Sequence, residues 1–328
     1  MKAIDSKKQC AYVTFMMRND SYLPGAMVLG HKLRKLNTPH DLVCLITKDI
    51  TGQARYALNQ VYDHVIQVDT IEIKHNRRQE RQDRPYLFTR FQALRLGRDG
   101  DLGVGYDKIV VLDADVLPLY DYDALFDVDA PAGIINERKS NCQSIKDGYD
   151  KDSLKEKWIW HDIYSESCGH GQTIPKAYTD RVREDRDNMG VNACLWVLEP
   201  NMQEYDDLLK VARSDTMQDL VCDGFNWPEM QFATLYWSGK WHNVDIRYCS
   251  FNGYPSLAVL KGTHYAGLKP WSLNKLPSVI HYCKYDDFRL WFSEYVEMMT
   301  IRYPELKKCP RLMKLLDIYF KRIRQCLS

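Results

Sequence analysis

The chain has 328 residues, of which 45% are hydrophobic and 27% charged, and its net charge is +1. That length accommodates one large α/β domain with an appendage, and the composition is that of a globular protein rather than a disordered or fibrous one. A near-neutral charge supplies no general field for nucleic acid, so no nucleic-acid partner is expected.

Residues 1–10 lack the charged start and apolar run of a secretory signal, and no stretch approaches the roughly 20 apolar residues of a membrane span. The expectation is a cytoplasmic protein with no integral membrane segment. Ten cysteines occur without a C-x-x-C pair, and several, such as Cys44 and Cys194, lie in apolar runs. Buried free thiols are expected, rather than a disulfide framework or a zinc site.

Residues 11–15 read as a first strand, 19–25 as a loop and 26–36 as a helix. Strands follow at 41–47 and 61–68, with a helix at 52–60 between them. This alternation predicts a doubly wound sheet of parallel strands. The charge-dense run 74–84 reads as a solvated loop, or as a lid whose arginines meet phosphate. A helix over 89–96 precedes Y-D-K-I-V-V-L-D-A-D-V-L-P-L-Y at 106–120. Residues 109–112 are β-branched, continuous and short, as in a parallel strand covered on both faces.

Asp113 and Asp115 then stand at the C-terminal end of that strand, where open α/β sheets bind ligands. Adjacent carboxylates repel and need a proton, a cation or water. A hard divalent ion such as Mn²⁺ or Mg²⁺ satisfies both and keeps positions open for phosphate oxygens. The bland alternative is an ordinary acidic loop. As a strand-end ligand Asp115 is expected to be exposed and to contribute little to the core.

Residues 136–187 lose periodicity and read as an insertion rich in Tyr, Trp, His and Gly, with acceptor recognition as its expected role; Trp158 and Trp160 are stacking candidates. Order returns at 190–198, with helices at 202–212 and 228–237. Beyond Pro277 two helices are expected, at 288–299 and 311–327, the second with Leu312, Leu315, Leu316, Tyr319, Ile323 and Leu327 on one face.

Another stretch, H-Y-A-G-L-K-P-W at 264–271, carries compatible chemistry. A neutral His264 imidazole can join two carboxylates on a metal, Lys269 offers a point charge to a phosphate, and Gly267 lets backbone approach a diphosphate. A second His-Tyr pair, at His281, competes. It is followed by Asp286 and Asp287, the wrong sign for binding phosphate.

Together these motifs resemble the glycogenin-like members of glycosyltransferase family 8, over about residues 11–271. The resemblance implies a GT-A, Rossmann-like doubly wound mixed sheet spanning 1–275 with its insertion at 136–187, followed by a C-terminal helical extension at 276–328. It implies a retaining transfer of a hexose from a UDP-sugar of the UDP-glucose or UDP-galactose type to a glycan, protein or small-molecule hydroxyl, and it leaves homodimerisation open. A-Y-V-T-F and N-D-S-Y-L-P-G-A-M-V-L-G look like the uridine-binding start, which would put Thr14 and Tyr22 near the base. Asp113, Asp115 and His264 would be metal ligands, Ala114 would line the ribose site, and Lys269 would contact the diphosphate. V-N-A-C-L-W-V-L-E-P at 191–200 looks like the family's F-N-S-G-V stretch, which puts Asn192 near the sugar. Asp223, Glu229 and Gln231 fall in the family's acidic region. The chain departs from the pattern in several places: Cys194 replaces a glycine, Met230 a glutamine and Arg90 a lysine, and the last motif is one residue short before Lys269.

Breaking the anomeric bond calls chiefly for neutralising the leaving diphosphate. Glu229 or Asp223 could serve as nucleophile, and a front-face route needs neither. Two rivals remain at this level: a sugar nucleotidyltransferase, which would more naturally carry a Gly- and Lys-rich phosphate loop that residues 11–25 lack, and a nucleotide-sugar-binding module with a decayed site.

Overall fold

The computed structural model describes residues 9–75, 84–136, 168–186, 188–253 and 256–326. Residues 76–83 of the charge-dense run at 74–84, most of the insertion including Trp158 and Trp160, and Leu327 of the C-terminal stripe lie outside the described residues.

Strands β1 (Cys10–Met16), β2 (Asp41–Ile46), β3 (His64–Gln67) and β4 (Lys108–Leu112) run parallel in the order β3-β2-β1-β4. Every residue of β4 is buried, as its unbroken apolar run requires. Six shorter or later strands follow: β5 (Val116–Pro118), β6 (Ala132–Asn136), β7 (Gly190–Leu198), β8 (His242–Asn243), β9 (Ser250–Phe251) and β10 (Gly262–His264). Because β7 is antiparallel to both β4 and β6, the seven-stranded sheet β3-β2-β1-β4-β7-β6-β8 is mixed. Alternation with helices correctly indicates the parallel half, β1 to β4. The chain steps outward from β1 to β3 and then returns to place β4 on the other side of β1. This reversal opens a crevice at the carboxyl ends of β1 and β4.

The helices are α1 (Leu23–Lys35), α2 (Gly52–Leu58), α3 (Met202–Ala212), α4 (Pro228–Tyr236), α5 (Leu276–Tyr282), α6 (Asp286–Glu297) and α7 (Pro310–Ile318), besides shorter turns. α1 starts three residues earlier than its sequence pattern indicates, because Pro24 falls in the first turn, where its fixed φ and missing N–H cost nothing. Thr51 caps α2 by accepting from the Ala54 amide at 3.2 Å. β3 is shorter than expected because Val61 and Tyr62 still belong to the turn ending α2, their amides donating to the Leu58 carbonyl.

The helix expected at 89–96 is a 3₁₀ run, Arg84–Leu96. Phe88, Phe91 and Leu94 are all buried, and a three-residue spacing eclipses on such a turn. At the C-terminus the stripe Leu312, Leu315, Leu316 and Ile323 is buried. The expected single helix is broken by a π turn at Tyr319–Ile323, which adds a residue to the repeat.

The insertion returns along the edge of the sheet. Gly171 donates to the Asn243 carbonyl at 2.8 Å, Asn243 donates its amide to Gln172 and its side-chain Nδ2 to the Cys168 carbonyl, and Thr173 bridges His242. Among the described residues, no helix is long and apolar enough to cross a membrane.

Candidate active site

The large sheet stops at Leu112 and a small three-stranded sheet, β5-β10-β9, begins at Val116. Asp113, Ala114 and Asp115 form the joint between them. Two backbone bonds fix it, from the Asp113 amide to the Cys194 carbonyl and from the Val116 amide to the Asp113 carbonyl, each 3.0 Å. Thr14 on β1 is buried, and its hydroxyl donates to the Leu112 carbonyl at 2.8 Å. That hydroxyl secures the strand end.

Register brings the histidine in. β10 is antiparallel to β5, and His264 pairs with Val116, the neighbour of Asp115. The Tyr265 amide donates to the Asp115 carbonyl at 2.9 Å, and His264 Nε2 lies 3.3 Å from Asp115 Oδ1. The Lys269 ammonium pairs with the other oxygen, Oδ2, and donates to the Tyr265 carbonyl. Asp113, Asp115 and His264 offer ligand atoms within 4.8 Å of one another. His281 is exposed on α5 with its ring against Tyr282.

Asp115 is 6% exposed, which corrects the expectation of an exposed ligand at that position. Burial raises a carboxyl's pKa, but Lys269 and His264 hold that of Asp115 well below the ordinary range. Burial likewise opposes the His264 imidazolium, and Asp115 together with Cys194 raises it to about 10. Lys269 rises above its ordinary value despite burial, through Asp115, Tyr22 and Asp113.

Arg90 is buried in the 3₁₀ run. It donates Nη2 to Asp113 Oδ1 at 3.0 Å and Nη1 to the Ala193 carbonyl at 2.7 Å, with its guanidinium 5.3 Å from the Trp196 ring. It therefore orients Asp113. Burial opposes its charge, while Asp113 and Glu229 raise its pKa. Glu229, in the first turn of α4, is buried and belongs electrostatically to this group.

The remaining sequence candidates divide by what their side chains touch. Asn192 is buried on β7 and accepts from the Cys194 amide at 2.9 Å. Gln231 is fully buried, its Oε1 accepting from the Trp227 amide and its Nε2 donating to the Arg186 and Asn188 carbonyls. It acts as a backbone strut. Asp223 is exposed on the π turn Leu220–Gly224, outside the Asp113, Asp115 and His264 group. Tyr22 is 39% exposed and edges against Trp271 at 5.7 Å, and Gly267 lies in the turn after β10.

Two features escape the sequence. Gly25 packs so closely that a Cβ there would strike both the Ala114 carbonyl and the Trp271 ring. The sequence pattern leaves residue 25 at the end of a loop, so no local signal marks this contact. The second is Cys249, whose Sγ lies 2.8 Å from that of Cys194, 55 residues away. Eight of the nine described cysteines are buried and all nine are free, as expected. Burial opposes the Cys194 thiolate, but Cys249 and His264 bring its pKa below the ordinary thiol value.

The donor set fits a hard divalent ion. Two carboxylates and an imidazole converge, the imidazole becoming a ligand once an ion displaces its proton, and buried His264 Nδ1 has no hydrogen-bond partner.

Comparison with known proteins agrees with this architecture. The sequence profile of glycosyl transferase family 8 matches residues 13–293. Galactinol synthase 1 of Arabidopsis thaliana is 24% identical over 270 residues, 80% of this chain and 71% of that protein. Glycogenin of Neurospora crassa is 36% identical over 124 residues, 38% of this chain; the match spans only 17% of that protein. The solved structure of the galactosyltransferase LgtC, in complex with donor and acceptor sugar analogs, superposes with a TM-score of 0.57 at 13% identity, covering 90% of this chain and 99% of that one. It shares the GT-A fold.

Proposed function

The chain belongs to glycosyl transferase family 8, and from that membership and the site geometry we propose that it moves a hexosyl group from a UDP-sugar to a hydroxyl acceptor with retention, using Mn²⁺ or Mg²⁺ held by Asp113, Asp115 and His264. The observation that carries this reading is the β5–β10 register, which sets His264 beside the strand-end aspartates. A divalent ion held there would stabilise the negative charge that develops on the diphosphate as the anomeric bond breaks.

The chain's own residues supply the rest. His264 and Lys269 divide the two oxygens of Asp115, so the ammonium stands at the same carboxylate as the metal ligands and can meet a diphosphate oxygen. Arg90 holds Asp113 in one orientation, which preorganises the ligand pair. Of the two carboxylates suggested as nucleophile, Glu229 is the one coupled to Arg90. Tyr22 and Trp271 form an aromatic edge near Lys269 that suits a base. The acceptor is a hydroxyl compound, and a cytoplasmic site of action is part of the same proposal.

A panel of UDP-sugars with Mn²⁺, read as UDP release with and without chelator, tests this. UDP release that needs the ion is the expected result. Pyrophosphate release, or turnover indifferent to chelation, overturns the reading.

A further inference from the structure

His264 belongs to a second donor group. Its ring and the sulfurs of Cys194 and Cys249 offer ligand atoms within 4.8 Å of one another, and all three residues are buried. Cys194 comes from the middle of β7 and Cys249 from the residue just before β9, so the pair is built by tertiary structure and has no sequence motif. The thiols approach to 2.8 Å, and His264 Nδ1 is buried without a hydrogen-bond partner. Two sulfurs and an imidazole meeting in a buried site are the donors of a thiophilic ion, whereas the carboxylate group on the same histidine suits a hard one.

We propose that Cys194, Cys249 and His264 form a soft-metal site, for Zn²⁺ or a similar d¹⁰ cation, that competes with the hard-metal site for His264. Charge favours it, because two thiolates neutralise a divalent ion and remove most of the penalty for burying it. Geometry asks for a modest change. Zinc–sulfur bonds of about 2.3 Å in a tetrahedron set the sulfurs about 3.8 Å apart, so they must separate by about 1 Å. A water can complete the shell. A neutral imidazole has one lone pair and serves one ion at a time. Occupancy of the soft site therefore withdraws His264 from Asp113 and Asp115, and zinc becomes an inhibitor of transfer. This last step rests on the proposed role of His264 in the hard-metal site.

Cadmium is the probe, because thiolate-to-cadmium charge transfer is seen in the ultraviolet whether or not the protein turns over a sugar nucleotide. The full chain, reduced and freed of metal by chelation, is titrated with Cd²⁺. One ion per chain is expected to give the band, Cys249→Ala to lose it, and His264→Ala to weaken binding at least about tenfold. Cys249→Ser is a second variant should alanine perturb folding, which melting curves monitor. Added Mn²⁺ should raise the Cd²⁺ concentration needed for half-maximal absorbance. In the zinc assay, the concentration for half-inhibition of UDP release should rise at least about tenfold in Cys249→Ser, scaled to that variant's own rate. Absence of the band, its persistence in both Cys249 variants, or a Cys194–Cys249 disulfide that forms in place of ion binding overturns the site. A band indifferent to Mn²⁺ overturns the competition alone. Loss of UDP release in every condition with the cadmium result intact strikes the transferase reading and leaves the soft site standing.

Discussion

Gly25, in the first turn of α1, packs against the carbonyl of Ala114, the residue between the two candidate metal-binding aspartates. The contact places a helix start directly on the 113–115 joint, with Trp271 closing over the same spot. Any side chain at position 25 must displace the joint, the indole or the helix.

Gly25→Ala is therefore expected to destabilise the fold by about 1–3 kcal/mol, as overpacking does, and to lower UDP release with it. Gly52, at the start of α2, has nothing within 4 Å of its would-be Cβ. Gly52→Ala should be neutral or stabilise by about 0.5 kcal/mol through the unfolded chain. Denaturant melts of the two variants check the contrast, and equal effects would remove any special role from the Gly25 contact.

Asp115→Asn should abolish UDP release. Unlike substitution of an exposed ligand, it should also destabilise the protein, because Lys269 and His264 lose the charge that compensates them. Removing one partner of a buried ion pair costs about 3–5 kcal/mol. Melting in the presence of chelator isolates this term from metal binding. An unchanged melting temperature would mean that the Asp115 cluster contributes nothing to folding.

The two His-Tyr pairs are expected to differ sharply. His264→Ala should raise the Mn²⁺ concentration for half-maximal UDP release at least about tenfold, the lower end for a disturbed metal shell. His281→Ala, on an exposed face of α5, should leave it within about twofold. A manganese titration of each variant decides it, and the reverse ranking would move the metal site to α5.

What was legible in the sequence follows from where the physical signal is local. β2 and β4 show as apolar runs because parallel strands are buried on both faces, and Asp113 and Asp115 stand out as carboxylates ending such a run. His264 and Lys269 show as chemistry within one short turn. The strand that positions them has three residues, too few for any periodicity, and its register with β5 is a tertiary fact. Cys249 and Gly25 are silent for the same reason, since each matters through a partner 55 or more positions away. Gln231 is a different case, a polar residue in the right stretch whose hydrogen bonds all go to backbone.

A buried carboxylate clamps α6 to α1. Glu294 on α6 pairs with Lys32 at 2.7 Å, Lys35 at 3.0 Å and His31 at 3.4 Å, all on α1. Burial would raise its pKa, but the neighbouring His31, Lys32 and Lys35 lower it from 4.5 to about 2. A depressed carboxyl contributes stability that is fully present above the unfolded value and is lost as pH falls through the folded one. With solvent screening at the Lys35 side, the contribution at neutral pH comes to about 2 kcal/mol. Glu294→Gln should thus melt several degrees below wild type at pH 7, and the gap should close between about pH 4.5 and pH 2. A gap that stays constant with pH would mean the substitution acts through packing instead of charge. The effect should also reach the active site. The backbone carbonyl of Asp287, on the same helix, accepts from the Tyr265 hydroxyl at 2.6 Å, and the Tyr265 amide donates to the Asp115 carbonyl. Loosening α6 therefore slackens the turn that carries His264 and Lys269, and the Mn²⁺ requirement of Glu294→Gln should rise in step with its loss of stability as temperature is raised.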